Sequence, residues 1–250
     1  MNTFSLARKT SKRFGWFAGT KILANRVLEK IFSLQGVEFV YLHQNSLPAS
    51  IELPAGFESR FLTAEEVARF AEDPANDLDD NLPDRIRAGK DFCFAAIHEN
   101  RLAAYGWYAL KDIEAEHNFG ISMRFAENHA YMYKGFTHSD FRGKRLHGIL
   151  MGQALQELGS RGIDALVSSV GWTNFASLVS CDKLGYERIG RVWTLREGST
   201  IVSVPAKIRQ KEILPGCDVN PHLLQTSNET SQPVSSNPVK KTASKVPQKL

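Results

Sequence analysis

Residues 137–186 constrain this chain more than any other stretch, because they alternate turn, helix, strand and helix behind a strand, with polar chemistry at each joint. Tyr131 to Phe136 reads as a strand rich in aromatics, and the turn-formers His138-Ser139-Asp140 follow it. A basic turn with one glycine comes next, Arg142-Gly143-Lys144-Arg145-Leu146-His147. Leu146, Ile149, Leu150, Ala154 and Leu158 then recur at helical spacing, and Gly159 and Gly162 end that helix. Ile163 to Val170 is a short apolar strand. Asn174 caps a second helix that runs to Leu184 and stops at Gly185.

A basic strand-to-helix joint of this kind suits an anion. The first turn of a helix leaves backbone N–H groups unpaired, and the helix dipole adds partial positive charge there. Arg142, Lys144 and Arg145 add full charges within four residues. Read alone, the segment fits a pyrophosphate-binding turn and a solvated basic turn equally, since one glycine among cations is a weak motif.

The second half of the stretch adds a resemblance. Residues 137–151, Thr-His-Ser-Asp-Phe-Arg-Gly-Lys-Arg-Leu-His-Gly-Ile-Leu-Met, resemble the acetyl-CoA loop and helix of the GNAT superfamily of N-acetyltransferases, whose loop runs Arg/Gln-x-x-Gly-x-Gly/Ala. Residues 174–186, Asn-Phe-Ala-Ser-Leu-Val-Ser-Cys-Asp-Lys-Leu-Gly-Tyr, resemble that family's second motif, at its usual separation. The resemblance extends over about residues 37–206. It implies an α/β (α+β) fold with a mixed, mostly antiparallel sheet flanked by helices. It also implies transfer of an acyl group, most simply acetyl from acetyl-CoA as co-substrate, to a primary amine, with no metal. Two positions depart from the pattern. The family's two loop glycines are Arg145 and His147 here, and the tyrosine that often precedes its acidic-Lys-Leu-Gly run is Cys181.

Carried over residue by residue, the resemblance implies CoA contacts from Arg142, Gly143, Lys144, Arg145, Leu146 and His147, and from Asn174 and Ser177. It places the pantetheine arm along Phe136, Thr137 and His138, and an oxyanion-binding N–H near Tyr133 to Phe136. Direct acyl transfer needs a base for the amine and gains from an acid at the leaving thiolate. His129 is a candidate base, since strand alternation puts it on one face with Tyr131 and Tyr133 and an ordinary imidazole titrates near pH ~6.5. Cys181, at the tyrosine position, is the candidate acid; the competing reading is a buried cysteine filling space. Losing both loop glycines and the tyrosine also fits a non-catalytic CoA-binding or scaffold protein. An enzyme of the same fold with a longer acyl or aminoacyl donor fits as well.

Charge divides the chain in three. The whole carries +4, with +6 in residues 1–35 and +4 in residues 207–250, so residues 36–206 carry −6. A nucleic-acid partner is therefore not expected, because such proteins place their basic charge on the folded domain. Within 1–35, Ile22, Leu23, Val27, Leu28, Ile31 and Phe32 form a broad apolar helical face beside Lys21, Arg26 and Lys30. Two readings stay open: a helix on an anionic membrane surface, which would bring membrane-proximal amines within reach, or a helix docked on the domain. Residues 36–206 form the acetyltransferase-like domain. Thr63 and Glu66 make a capping box, and His98-Glu99-Asn100 turns a hairpin. Asp112, Glu114, Glu116, His117 and Glu127, in an aperiodic stretch, are candidates to line an amine site. Residues 207–250 form a disordered tail, most plainly over 225–250, where Ser, Thr, Asn, Gln, Pro, Val and Lys dominate. Cys93, Cys181 and Cys217 have neither paired nor metal-ligand spacing, and no signal segment leads the chain, which fits a cytoplasmic protein or one peripheral to the inner face of a membrane.

Overall fold

The computed structural model describes residues 2–79, 82–110, 122–195, 200–201, 206–211 and 213–216. The strands are β1 (Leu34–His43), β2 (Phe57–Phe61), β3 (Asp91–His98), β4 (Arg101–Ala109), β5 (Ser122–Arg124), β6 (His129–Thr137), β7 (Ala165–Gly171), β8 (Glu187–Leu195), β9 (Thr200–Ile201) and β10 (Leu214–Gly216). Eight of them join in the order β2-β3-β4-β6-β7-β1-β8-β9, and β5 pairs with β10 in a separate ribbon. Within the large sheet every neighbouring pair is antiparallel except β6 with β7. This is the expected mixed, mostly antiparallel sheet. Residues Val37 to Leu42 of β1 are all buried, as a central strand covered on both faces requires.

Helices cover both faces. On one face α5 (Leu146–Gly159) and α6 (Phe175–Leu184) pack Leu150, Leu155, Leu158, Leu178 and Leu184 onto Val40, Leu42, Ala104, Ala130 and Met132. The opposite face divides in two. Over β2 to β4 lie α3 (Ala64–Ala71) and α4 (Leu82–Arg87), closed around Val67, Phe70, Leu82, Cys93 and Trp107. Over β1, β6 and β7 lie α7 (Ala206–Gln210) and the small ribbon, through Ile208, Ile213 and Met123. Local signals hold where the chemistry is strong. Thr63 and Glu66 form the reciprocal capping box. Glu99 and Asn100 take positive φ values of 51° and 61°, the conformation that lets two residues close a twisted hairpin.

Two expectations change. Residues Thr3–Phe14 form a helix, α1, that the sequence reading missed; Asn2 caps it by accepting from the Phe4 N–H at 3.2 Å. Gly15, at φ 90°, breaks the chain into α1 and α2 (Trp16–Phe32), so the basic leader is a helical hairpin. Part of the stretch assigned to a tail from residue 207 is folded: Ile208 and Ile213 are fully buried and hold α7 and β10 against the core. Residues 217–250, with Cys217 and the polar stretch 225–250, lie outside the described residues, as do 111–121 with Asp112, Glu114, Glu116 and His117.

Candidate active site

The site is an opening in the sheet. Parallel pairing of β6 with β7 runs from His129↔Ala165 to Met132↔Ser168 and stops there. Beyond that point β6 stays with β4, and β7 stays with β1. The edges Lys134–Thr137 and Val170–Gly171 therefore lie outside the β6–β7 ladder. A β-bulge coincides with the split: Tyr108 pairs with Met132 and Trp107 with Lys134, leaving Tyr133 as the extra residue. A bulge bends its strand and increases its twist, which is what turns β6 away from β7.

The bulge residue is held from behind. The Tyr133 hydroxyl donates to Asp91 Oδ2 at 2.7 Å, and Arg85 binds the same carboxylate through Nε and through Nη2, the latter at 3.1 Å. Asp91 is 1% exposed. Burial and the adjacent carboxylate push the Tyr133 phenol far above its ordinary value, so it remains a neutral donor. Its hydroxyl is thereby committed to positioning the strand.

The basic turn lies at the mouth of the opening. Gly143 has φ 87° with open space around it, and Arg145 has φ 61°, so two of its residues are left-handed. Arg145 stands at the helix start with no side-chain cap, which leaves the first-turn N–H groups of α5 available to an anion. Arg142 Nε donates to the Thr137 carbonyl at 3.2 Å, tying the turn to the end of β6. His138 serves the turn itself, accepting from the Asp140 N–H at Nδ1, 3.3 Å. Phe136 stacks on Tyr105 at 5.3 Å on the opposite face. Leu146 is buried under α5, and Lys144 extends over the Phe57 ring. Of the residues of 136–147 named from sequence, Arg142, Gly143, Lys144 and Arg145 form the turn at the mouth, whereas Phe136 packs on the opposite face and Leu146 in the core. Asn174 caps α6, accepting from the Ser177 N–H at 3.3 Å.

His147 is the least expected neighbour. A Cβ added at Gly135 would fall 2.2 Å from His147 Cε1, so the imidazole lies directly on the bare backbone of β6. Gly135 is required here by close approach, since any side chain would displace the ring or the Met132 methyl. Burial lowers the His147 pKa, leaving the ring neutral near pH 7. The positive charge of the turn therefore comes from Arg142, Lys144 and Arg145.

Neither proposed acid–base residue reaches the opening. His129 is buried at the paired end of β6 and packs edge-on to Tyr41. Four residues of strand, about 13 Å, separate it from Tyr133. Cys181 is 3% exposed and packs in the core with Leu178, Leu184 and Tyr186. Burial pushes its thiol up to about 12. The tyrosine-position argument fails because the short side chain ends inside the helix–sheet packing. Cys181→Ala is accordingly expected to cost about 1 kcal/mol of stability through a small cavity, with the catalytic rate unchanged. Thermal melts run beside a rate assay check it, and a tens-fold rate loss without a melting shift would restore the catalytic role.

A group that sequence reasoning passed over stands nearer. Tyr108 is fully buried, pairs with Met132 where β6 and β7 part, and its hydroxyl has no hydrogen-bond partner among the described residues. The hydroxyl lies over Gly106, 2.7 Å from where a Cβ would be, and Gly106 pairs with Gly135. Two side-chain-free positions thus sit together under the start of α5, with a buried phenol on one and an imidazole on the other. Burial pushes the Tyr108 phenol far up, so it keeps its proton.

Comparison with known proteins supplies a family. Residues 59–186 match the family described as acetyltransferase (GNAT) family. No curated protein matches the sequence. Among solved structures, a GCN5-related N-acetyltransferase from Kribbella flavida is similar at 15% identity, covering 70% of this chain and 62% of that one, with a TM-score of 0.46. A GNAT-family acetyltransferase from Colwellia psychrerythraea is 14% identical over 64% of this chain and 55% of that one, TM-score 0.46. An aminoglycoside acetyltransferase from an uncultured soil metagenomic sample is 11% identical over 53% of this chain and 90% of that one, TM-score 0.42. The chain spans less than two thirds of the length of the first two.

Proposed function

The chain belongs to the acetyltransferase (GNAT) family, and from that premise we propose that it transfers acetyl from acetyl-CoA to a primary amine in the cytoplasm. The observation that carries this reading is the parting of β6 from β7 after Met132 and Ser168, with the basic turn at its mouth. Strand edges outside the β6–β7 ladder offer hydrogen bonds to an amide-rich arm such as pantetheine, and the uncapped start of α5 with Arg142 and Arg145 suits a pyrophosphate. Asn174 and Ser177, at the start of α6, complete the cofactor-binding set.

In this reading the bulge places a backbone N–H of Tyr133 or Lys134 to receive the oxyanion as the amine attacks the thioester carbonyl. The amine enters from the α3–α4 face. There Asp77 and Asp79 surround the Lys134 ammonium at 3.6 and 3.3 Å and supply negative charge for a cationic acceptor. Collapse breaks the carbon–sulfur bond; the proton that the attacking amine loses passes through solvent to the departing thiolate, and the Tyr108 hydroxyl, kept protonated by burial, donates a hydrogen bond to that sulfur. Among the described residues no cluster of His, Cys, Asp and Glu has the makings of a metal site.

The test is to titrate acetyl-CoA and longer acyl-CoAs and to follow thiol release with a panel of amines. Binding without release would leave the scaffold reading, and preference for a long acyl donor would replace acetyl transfer. Arg142→Ala and Gly143→Pro are expected to weaken acetyl-CoA binding by about tenfold or more, the worth of a charge-assisted phosphate contact. Lys12→Ala, on α1 and outside the turn, should leave it unchanged. Equal affinities for all three variants would remove the turn from the site.

A further inference from the structure

Every large apolar side chain that stands strongly exposed among the described residues lies in the α1–α2 hairpin: Phe4, Leu6, Trp16, Phe17, Val27, Ile31 and Phe32. The helix α2 makes the pattern plain. Its inward side is set by Ala18, Gly19 and Ile22, which are buried. At 100° per residue, Trp16, Thr20, Ala24, Val27 and Ile31 fall on one outward stripe, and all five are exposed. Trp16 is 75% exposed and Ile31 67%. Thr20, the one polar member, turns its hydroxyl back to the Phe17 carbonyl at 2.9 Å, so the stripe is apolar along its length.

Docking on the domain does not use this stripe. The hairpin is fixed by other contacts: Trp172 Nε1 donates to Asn25 Oδ1, Lys21 lies 6.0 Å from the Trp172 ring centroid, and Phe14 packs on Phe175 at 6.0 Å. The helices cross closely, since a Cβ at Gly19 would fall 1.8 Å from Ser11 Oγ and 2.8 Å from the Ala7 carbonyl. The helix is therefore both docked and left with a second apolar face.

Charge identifies what covers that face. Residues 1–35 carry seven Lys and Arg against the single acid Glu29. Arg8, Lys9, Lys12 and Arg13 are exposed along α1. Arg26 and Lys30, also exposed, border the stripe on the side where Gly19 meets α1. A second copy of the chain would set these cations against their own kind, which is unfavourable at short range. An anionic bilayer satisfies both halves of the surface: the stripe enters the headgroup–acyl boundary, aromatics at Trp16 and Phe17 suit that interface, and the cations meet the headgroups. No described helix is long and apolar enough to cross a membrane.

We propose that the α1–α2 hairpin is a docking surface for an anionic lipid bilayer. Phe175 and Trp172, which hold the hairpin, flank the loop that leads into α6, so a docked protein presents the open end of the β6–β7 split close to the lipid surface.

Co-sedimentation of the full chain with phosphatidylglycerol–phosphatidylcholine vesicles and with pure phosphatidylcholine vesicles tests this. The wild type is expected to sediment with the anionic vesicles only, and less as salt rises. Val27→Ser/Ile31→Ser and Lys9→Gln/Lys12→Gln should each weaken partition about tenfold or more, since a cation near such a surface contributes about 1 kcal/mol and buried apolar groups at least as much. Wild-type protein that ignores the vesicles, or a Val27→Ser/Ile31→Ser variant that sediments equally well, would overturn the proposal. So would light scattering that finds a wild-type dimer which Val27→Ser/Ile31→Ser dissolves, because the stripe would then serve a second copy. Both variants should keep wild-type acetyl-CoA affinity, which separates a failure here from a failure of the enzymatic reading.

Discussion

Tyr108→Phe should lower kcat by about 10²-fold, the lower end of what a positioned donor to developing charge contributes, while leaving the melting temperature unchanged or raised. The two halves of that expectation come from one observation. The Tyr108 hydroxyl is buried without a hydrogen-bond partner among the described residues. A buried unpaired hydroxyl is destabilising, so removing it does not weaken the fold. Its place beside the point where β6 leaves β7 is what makes it the candidate donor to the substrate. If the phenol donates to the leaving thiolate, kcat and kcat/KM fall together and acetyl-CoA affinity holds. Steady-state kinetics with an equilibrium titration and a thermal melt decide it. An unchanged kcat would return Tyr108 to the role of core filler.

The second large effect is on stability. Asp91→Ala should cost about 3 kcal/mol, because it leaves Arg85 and the Tyr133 hydroxyl without the carboxylate they share. The value belongs at the lower end of the range for buried pairs, since the Arg85 side chain stays 26% exposed while Asp91 is 1% exposed. For a chain of this size the melting temperature should drop by roughly 6–12 °C. Asp91→Asn keeps an acceptor for Tyr133 and loses the charge, so it should fall between wild type and Asp91→Ala. A fall of less than 2 °C in Asp91→Ala would show that the bulge is held by the sheet alone.

The segment from β6 to α6 was legible because each element in it announces itself by period and punctuation. Leu146 to Leu158 repeats at helical spacing, Asn174 caps, and Gly185 stops. The split between β6 and β7 was not legible, since it is a property of pairing, and the one unusual strand residue in Tyr133–Thr137, Gly135, answers to the close approach of His147. Tyr108 escaped for the same reason: an aromatic in a strand reads as core, and only its orphaned hydroxyl sets it apart. Cys181 and His129 misled in the opposite direction. One was chosen for a position in a motif and the other for its chemistry, and packing put both out of reach. The helix α1 was hidden by its composition, as basic residues and small ones at the crossing give no broad apolar face.

Arg145 has a consequence for how this loop tolerates change. It holds a left-handed conformation, φ 61°, that is disfavoured for any residue with a Cβ by about 1–2 kcal/mol. It does so at a position where the resembling family has glycine, which adopts that conformation freely. Selection for stability alone would drift this residue toward glycine, since the gain is immediate and the backbone is already in place. Arg145 thus sets a cation at the start of α5 against an easy turn, and directed evolution for thermal tolerance would strip out this residue ahead of its neighbours in the loop.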